Sequence, residues 1–214
     1  MQFLVEPESV GKHRVLMKVS ANLADAELLR LAGKGAEDAF STLYERHQAA
    51  VYRFALQMSG SSTIAEEVTQ DVFMALLRDS SGYDASRATL ASYLYGIARR
   101  LVWRRLAQSR SHFPLAVVES EDSRTPEALV AFPNVERDLA RDEAVHALRR
   151  AILALPAGYR EAVVLCDLHE MTYLEAANIL GCAIGTVRSR LHRARALLAE
   201  RLAARTASAG RCLV

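Results

Sequence analysis

The sequence predicts an all-α protein: two small helical domains joined by a linker, the C-terminal one a helix-turn-helix. Apolar residues recur at helical spacing along most of the chain, and no segment alternates as a half-buried strand would. Arginines gather in two blocks on either side of an acidic, proline-containing stretch. Residues 172–190 read as two helices joined by a glycine turn. Composition agrees: 214 residues, 51% hydrophobic and 24% charged, describe an ordinary globular chain with room for one sizeable domain or two small ones. The predicted organisation is an N-terminal extension at 1–21, a domain at 22–110, a linker at 111–137, a second domain at 138–205 and a tail at 206–214.

In the first domain, Asn22 or Asp25 is placed to cap a helix that reaches about Ala32. A long helix at 37–59 carries Phe40, Leu43, Tyr44, His47, Val51, Phe54, Ala55 and Met58 near heptad spacing, and the run Ser59-Gly60-Ser61-Ser62 ends it. Ser62 or Thr63 then caps a helix to about Arg78, with Glu66 placed for a capping box with Thr63. That helix shows one stripe of Ile64, Ala65, Val68, Val72, Ala75 and Leu76. A second group, Phe73, Met74 and Leu77, is mixed with Glu66, Glu67 and Gln70. The second group is either a partner surface or a face covered by the chain's own 22–35 helix. A loop from Asp79 leads to a helix at about 89–109. Prolines 114, 126 and 133 break the linker, helices resume near Asp138, and Pro156 interrupts them.

In the second domain, Thr172 and Glu175 form a capping box, and Gly181 suits a left-handed turn. Ala176 and Ala177 let two helices cross closely, with Leu174, Ile179, Ile184 and Val187 filling the crossing. At about 100° per residue, Ile184, Val187, Leu191, Ala194 and Leu198 fall on one buried stripe. Gly185, Thr186, Ser189, His192 and Arg193 fall opposite, with Arg188 at one edge. Small donors, a histidine and arginines suit the major groove, because arginine grips guanine bidentately and small residues admit close approach.

Charge supports a polyanionic partner. Between Arg87 and Arg110 there are six arginines and no acid, and from Cys182 onward seven arginines face only Glu200. The stretch 119–143 is acidic on balance. Two basic modules separated by an acidic linker fit a nucleic acid, although arginines on solvated helix faces give the same count. Tyr83, Tyr93, Tyr95 and Trp103 interleave with the first block, a mixture suited to stacking on unpaired bases. Tyr93 and Tyr95 cannot share one helix side, so at least one belongs to the core.

Several classes are excluded or disfavoured. No apolar run is long enough to span a membrane, and Glu6, Pro7, Glu8 and Lys12 interrupt any secretory core. Three cysteines without metal-ligand spacing disfavour a disulfide framework and indicate the cytoplasm. His146, Cys166, His169 and Cys182 are the candidate ligands, but no second close pair completes a site. With no phosphate loop, acidic metal pair or nucleophile motif, we expect no enzyme, no metal and no cofactor. A thiol at Cys212 in the tail needs no function.

These residues resemble an extracytoplasmic-function (ECF) sigma factor of bacterial RNA polymerase over about 22–110 and 138–203. In the first block, Phe40-Ser-Thr-Leu-Tyr-Glu-Arg-His47, Val51-Tyr52, Ala65-Glu-Glu-Val-Thr-Gln-Asp-Val-Phe73, Tyr83-Asp84 and Tyr93-Leu-Tyr-Gly-Ile-Ala-Arg99 resemble the family's second region. In the second, Leu155-Pro156, Tyr159-Arg-Glu-Ala-Val-Val164 and Gly185-Thr-Val-Arg-Ser-Arg-Leu-His-Arg-Ala-Arg195 resemble its fourth. The resemblance implies binding to core RNA polymerase, at the β′ clamp helices and the β flap, with promoter recognition, melting and initiation. It places Glu66, Glu67, Gln70, Asp71 and Phe73 on the clamp helices. It places Tyr83, Asp84, Arg87, Tyr93 and Arg99 on the −10 element, and Thr186, Arg188, Ser189, His192 and Arg193 on the −35 element. It also implies an anti-sigma factor as a partner. The chain departs from the family pattern at Ala85, Leu90, Tyr93, Gly96 and Arg100, all around the −10 module. The extension before about Asn22 is longer than in many members, and Met17 is a candidate start. The alternative reading is a stand-alone helix-turn-helix regulator that binds duplex DNA without polymerase.

Overall fold

The computed structural model describes residues 23–79, 82–112 and 135–209, with side chains to 109 in the second stretch and over 143–203 in the third. The described residues form α1 (Asp25–Ala32), α2 (Glu37–Ser59), α3 (Ser62–Arg78), α4 (Leu90–His112), α5 (Val135–Leu153), α6 (Ala157–Val163), α7 (Tyr173–Leu180) and α8 (Ile184–Ala209). A π-helical turn, Val164–Leu168, continues α6. None of these helices is long and apolar enough to cross a membrane. The expectations for 1–21, for most of the linker and for Cys212 lie outside the described residues. Helix α8 runs to Ala209, past the expected end of the second domain at 205.

Helix α2 is the spine of the first module, packed by α1, α3 and α4. Its fully buried Leu43, Val51, Phe54 and Met58 meet Leu28 of α1, Val72 and Leu76 of α3, and Leu90 and Leu94 of α4 in one core. Gly60 ends α2 with φ +75, a left-handed C-cap.

The capping expectations for the first module are corrected. Helix α1 follows Ala24, which has no side-chain cap, because the Asp25 carboxylate is drawn away to Arg46 and His47, each at 2.7 Å. Helix α3 is capped by Ser61, whose hydroxyl accepts the Ile64 N–H, and not by Ser62 or Thr63 with Glu66. The chain is extended at Ser61, which is the conformation an N-cap requires.

Around α8, the second module gathers α5, α6 and α7. Both halves of the capping box at Thr172 and Glu175 are present, and Gly181 turns with φ +64. Val187, Leu191, Ala194 and Leu198 are buried as projected. Leu174 and Ile184 are not: they are 58% and 36% exposed. Helix α7 buries Ala176, Ala177 and Leu180, and Leu174 lies about 200° around from Ala176, pointing to solvent. Ile184 opens α8, where no preceding turn covers it.

Thr172→Ala removes the cap and is expected to lower stability by about 1 kcal/mol, a fall of about 2–4 °C in Tm for a chain of this size. Thermal denaturation followed by circular dichroism checks this. An unchanged Tm would show that packing on α8 and α4 holds α7 in place without the cap.

Candidate nucleic-acid interface

The recognition face is assembled by α7, the Gly181 turn and α8. With Val187, Leu191 and Ala194 anchored in the core, Gly185, Arg188, Ser189, His192 and Arg193 are exposed and Thr186 is half-buried. The Ser189 hydroxyl donates to the Thr186 carbonyl at 3.0 Å, as a helix serine does when no outside partner engages it. The Arg188 guanidinium stands 5.8 Å from the centre of the Tyr173 ring, which extends the face onto α7. Arg195, two turns further on, is committed to Asp167 of the π turn through a two-point contact at 2.6 and 3.1 Å. That pair fixes α8 against α6 and keeps Arg195 off the face.

The second candidate surface is the loop after α3 and the helix it feeds. Tyr83 and Tyr93 lie with ring centroids 5.6 Å apart, both half-buried, while Asp84 and Arg87 are exposed. Asp84 accepts from the Ser86 N–H and hydroxyl at 2.9 and 2.7 Å, which shapes the loop and holds its carboxyl below the ordinary range. Gly82 fits here because a Cβ would stand 2.8 Å from the Tyr93 hydroxyl. Of the two tyrosines on α4, it is Tyr95 that enters the core, at 5% exposure. The expected −10 residue Arg99 is half-buried, and its Nε donates to Glu161 of α6 at 2.6 Å.

On α3, the expected polymerase face needs one correction. Phe73 is buried, with its ring 4.8 Å from Tyr44 and 6.3 Å from Phe40. It belongs to a single wide stripe of Ala65, Val68, Thr69, Val72, Phe73 and Leu76, and α2 and α4 cover that stripe, not α1. What remains exposed is Met74 and Leu77, at 43% and 41%, beside Glu66 and Gln70. Glu67 and Asp71 are held by Arg105 of α4, each at 2.8 Å.

The weak metal candidates separate. The His169 ring is inserted between α2 and α4, and burial pushes the Cys166 thiol up to about 11, leaving it an inert small residue. Among the described residues no group of three His, Cys, Asp or Glu is placed to hold a metal.

Sequence reasoning missed the residues that join the two modules. Glu161, 4% exposed, accepts from both Arg99 and the Trp103 Nε1–H. Arg160 donates to the Met58 carbonyl of α2 at 2.7 Å, and to the Leu153 and Leu155 carbonyls at the end of α5. The available signal was the stripe Ser92, Tyr95, Arg99 and Trp103 at three- and four-residue steps on α4, a face too polar and aromatic to be plain solvent surface.

Comparison with known proteins identifies the family of both modules. Residues 43–112 match the model of Sigma-70 region 2, and residues 146–198 match that of Sigma-70 region 4. The chain is 34% identical over 181 residues to the ECF RNA polymerase sigma factor SigM of Mycobacterium tuberculosis (strain ATCC 25618 / H37Rv), covering 84% of this chain and 85% of that one. It is 32% identical over 171 residues to the ECF RNA polymerase sigma factor SigE of Mycolicibacterium smegmatis, covering 79% of this chain and 64% of that longer relative. Among solved structures, the sigma factor RpoE in complex with the anti-sigma factor NepR from Bartonella quintana superposes with a TM-score of 0.58 at 27% identity, covering 76% of this chain and 96% of that one. A helix-turn-helix with an arginine-rich face, a four-helix module before it, and matches to both regions lead to one conclusion: the chain belongs to the ECF RNA polymerase sigma factors of the sigma-70 family.

Proposed function

We propose that this sigma factor is a dissociable promoter-specificity subunit with no chemistry of its own, working in the cytoplasm on core RNA polymerase. In this reading 22–110 is the −10 and core-binding domain, 138–205 the −35-binding domain, and 111–137 the linker between them. Thr186, Arg188, Ser189, His192 and Arg193 read the −35 element in the major groove. Tyr83, Asp84, Arg87, Tyr93 and Arg99 take the opened −10 strand, where aromatic stacking and arginine contacts offset the cost of unstacking. Glu66 and Gln70, with Met74 and Leu77, meet the β′ clamp helices, while Arg105 positions Glu67 and Asp71, and Phe73 supports the face from below. The second domain meets the β flap. An anti-sigma factor binds the protein, a reading supported by the similar sigma factor RpoE having been solved in complex with the anti-sigma factor NepR.

The observation that carries the −35 assignment is the exposed Arg188, His192 and Arg193 edge, held rigid opposite the buried Val187, Leu191 and Ala194. Transcription by core polymerase on a promoter library, with and without the protein, tests the whole reading. Initiation at a shared two-part sequence is the expected result. Tight binding to duplex DNA with no effect on core polymerase would favour a stand-alone regulator instead. In the same assay Arg188→Ala is expected to cost about 1–3 kcal/mol and relax preference at one −35 position. Equal weakening on every sequence would reduce Arg188 to a phosphate contact.

A further inference from the structure

Arg190, Arg195 and Arg201 of α8 are committed within the second module. Arg190 lies against Gly158 of α6, where an added Cβ would stand 3.3 Å from its guanidinium carbon. Arg195 is bound to Asp167, and Arg201 donates to the Ala151 carbonyl of α5 at 3.2 Å. Arg188 is held differently. Among the described residues no carboxylate pairs with it, and its guanidinium lies over the Tyr173 ring, 5.8 Å from the ring centre. The difference is chemical. A carboxylate takes the N–H donors in the guanidinium plane, the same donors that grip guanine. An aromatic ring attracts the guanidinium through its face and leaves those donors available. Arg188 is thus steadied without being consumed.

The ring has a fixed base. Tyr173 is the first residue of α7, directly after Thr172, whose capping box with Glu175 sets that end of the helix. Its side chain is exposed at the edge of the recognition face. Its hydroxyl also acts on Arg195: the Asp167 carboxylate chiefly, and the Tyr173 hydroxyl in smaller measure, hold that guanidinium above its ordinary range. Arg195 is in turn anchored to the π turn by its two-point contact with Asp167. One phenol so links the anchored arginine to the exposed one, and the π turn, α7 and α8 converge on Arg188.

We propose that Tyr173 is a specificity-determining positioning residue for the −35 element, its ring holding the Arg188 guanidinium in the orientation that meets a base edge. The proposal rests on the assignment of Arg188 to a −35 base. Without the ring, Arg188 must be ordered at the moment it grips its base, and that cost falls only on the promoter that offers the base. A promoter with another base at that position makes no such contact and loses nothing. Removing the ring therefore narrows the gap between right and wrong bases at one position and leaves the others alone. An exposed contact between a ring and a guanidinium sets the scale at about two- to fivefold.

The test uses the full-length protein on core RNA polymerase with a promoter library randomised through the −35 element, and reads initiation from each sequence. Arg188→Ala identifies the position that Arg188 reads. Tyr173→Leu is expected to lower discrimination at that same position about two- to fivefold, and at no other. Tyr173→Phe keeps the ring face and is expected to retain wild-type discrimination. In an Arg188→Ala background, Tyr173→Leu is expected to change nothing further at that position, since the two residues act as one. Circular dichroism establishes that each variant is folded, and Tyr173→Gln, which also removes the ring, reads the same effect a second time. Unchanged discrimination in the folded Leu and Gln variants would overturn the proposal and leave the Arg188 assignment standing. Equal weakening on every sequence, persisting without Arg188, would overturn it as well and make Tyr173 a phosphate contact of its own. If Arg188→Ala relaxes no position, the assignment beneath fails and the proposal fails with it.

Discussion

Phe54→Ala is expected to destabilise the protein by about 3–5 kcal/mol, a large part of what a domain of this kind has. Phe54 is fully buried in the middle of α2. Its ring lies 5.1 Å from the Tyr95 ring and 5.7 Å, edge to face, from His169. Truncation therefore removes a large apolar side chain from a closed site, and it also dissolves two ring contacts worth about 0.5–1.5 kcal/mol each beyond burial. The surrounding helices cannot collapse into the gap, because α2 is held on three sides by α1, α3 and α4. Leu174→Ala is the matched comparison: the residue is 58% exposed, and its loss is expected to stay within about 0.5 kcal/mol. Urea denaturation of both variants measures the contrast. A cost below about 1.5 kcal/mol for Phe54→Ala would mean that the site repacks, and that the rings at the joint are filler.

The contrast between these two residues also shows where sequence is informative. Helical periodicity set Phe54 at heptad spacing on the long helix, and the structure buries it there, because a 23-residue helix averages over many neighbours. Leu174 was expected inside and is not, because α7 has only 8 residues and a single packed face. Local chemistry was legible at the helix-turn-helix, where it closes on itself, but not at the start of α3, where Ser61 and not Thr63 is the cap. Thr172 and Glu175 satisfy each other within one turn, and Gly181 needs only its own φ, so the helix-turn-helix could be read without any tertiary knowledge. Asp25 could not be read that way. It looks like a cap, yet its carboxylate is spent on Arg46 and His47, more than twenty residues distant.

The same division holds for the candidate interface. The outward face of α8 follows from 100° steps and from which residues are apolar. The α4 face does not, because its aromatic and basic residues serve two surfaces. Tyr95 and Trp103 turn towards the second module, Tyr93 towards Tyr83, and Arg99 to a glutamate 62 positions away. No periodicity in a single helix reveals a partner at that separation. Phe73 is the converse case. As a second apolar group on α3 it suggested a partner surface, but Phe40 and Tyr44 are aromatic residues of α2 placed to cover it.

Acidification is expected to weaken the joint through His169. Gln57 Oε1 can only accept, so Nε2 carries the ring proton and Nδ1 accepts from the Tyr95 hydroxyl. A second proton on Nδ1 would set donor against donor. Burial pushes the imidazole down from 6.5 to about 4, and the positive charge of Arg53 on α2 pushes in the same direction. The titratable group facing it from α4, Tyr95, is itself raised above 10 by burial, so it stays a neutral donor throughout. A histidine depressed in the folded state binds fewer protons there than when released, so stability falls as pH falls. The loss begins near 6.5, grows until about 4 and then levels off. Its full size is on the order of 3 kcal/mol, since each tenfold drop in proton affinity on folding is worth about 1.4 kcal/mol. Other groups titrate in the same range, so the measurement is a difference: urea denaturation of wild type and His169→Gln at intervals from pH 7 to 4. The wild type is expected to lose stability more steeply across that window. Parallel curves would show that the ring is already protonated, or already solvated, in the native joint.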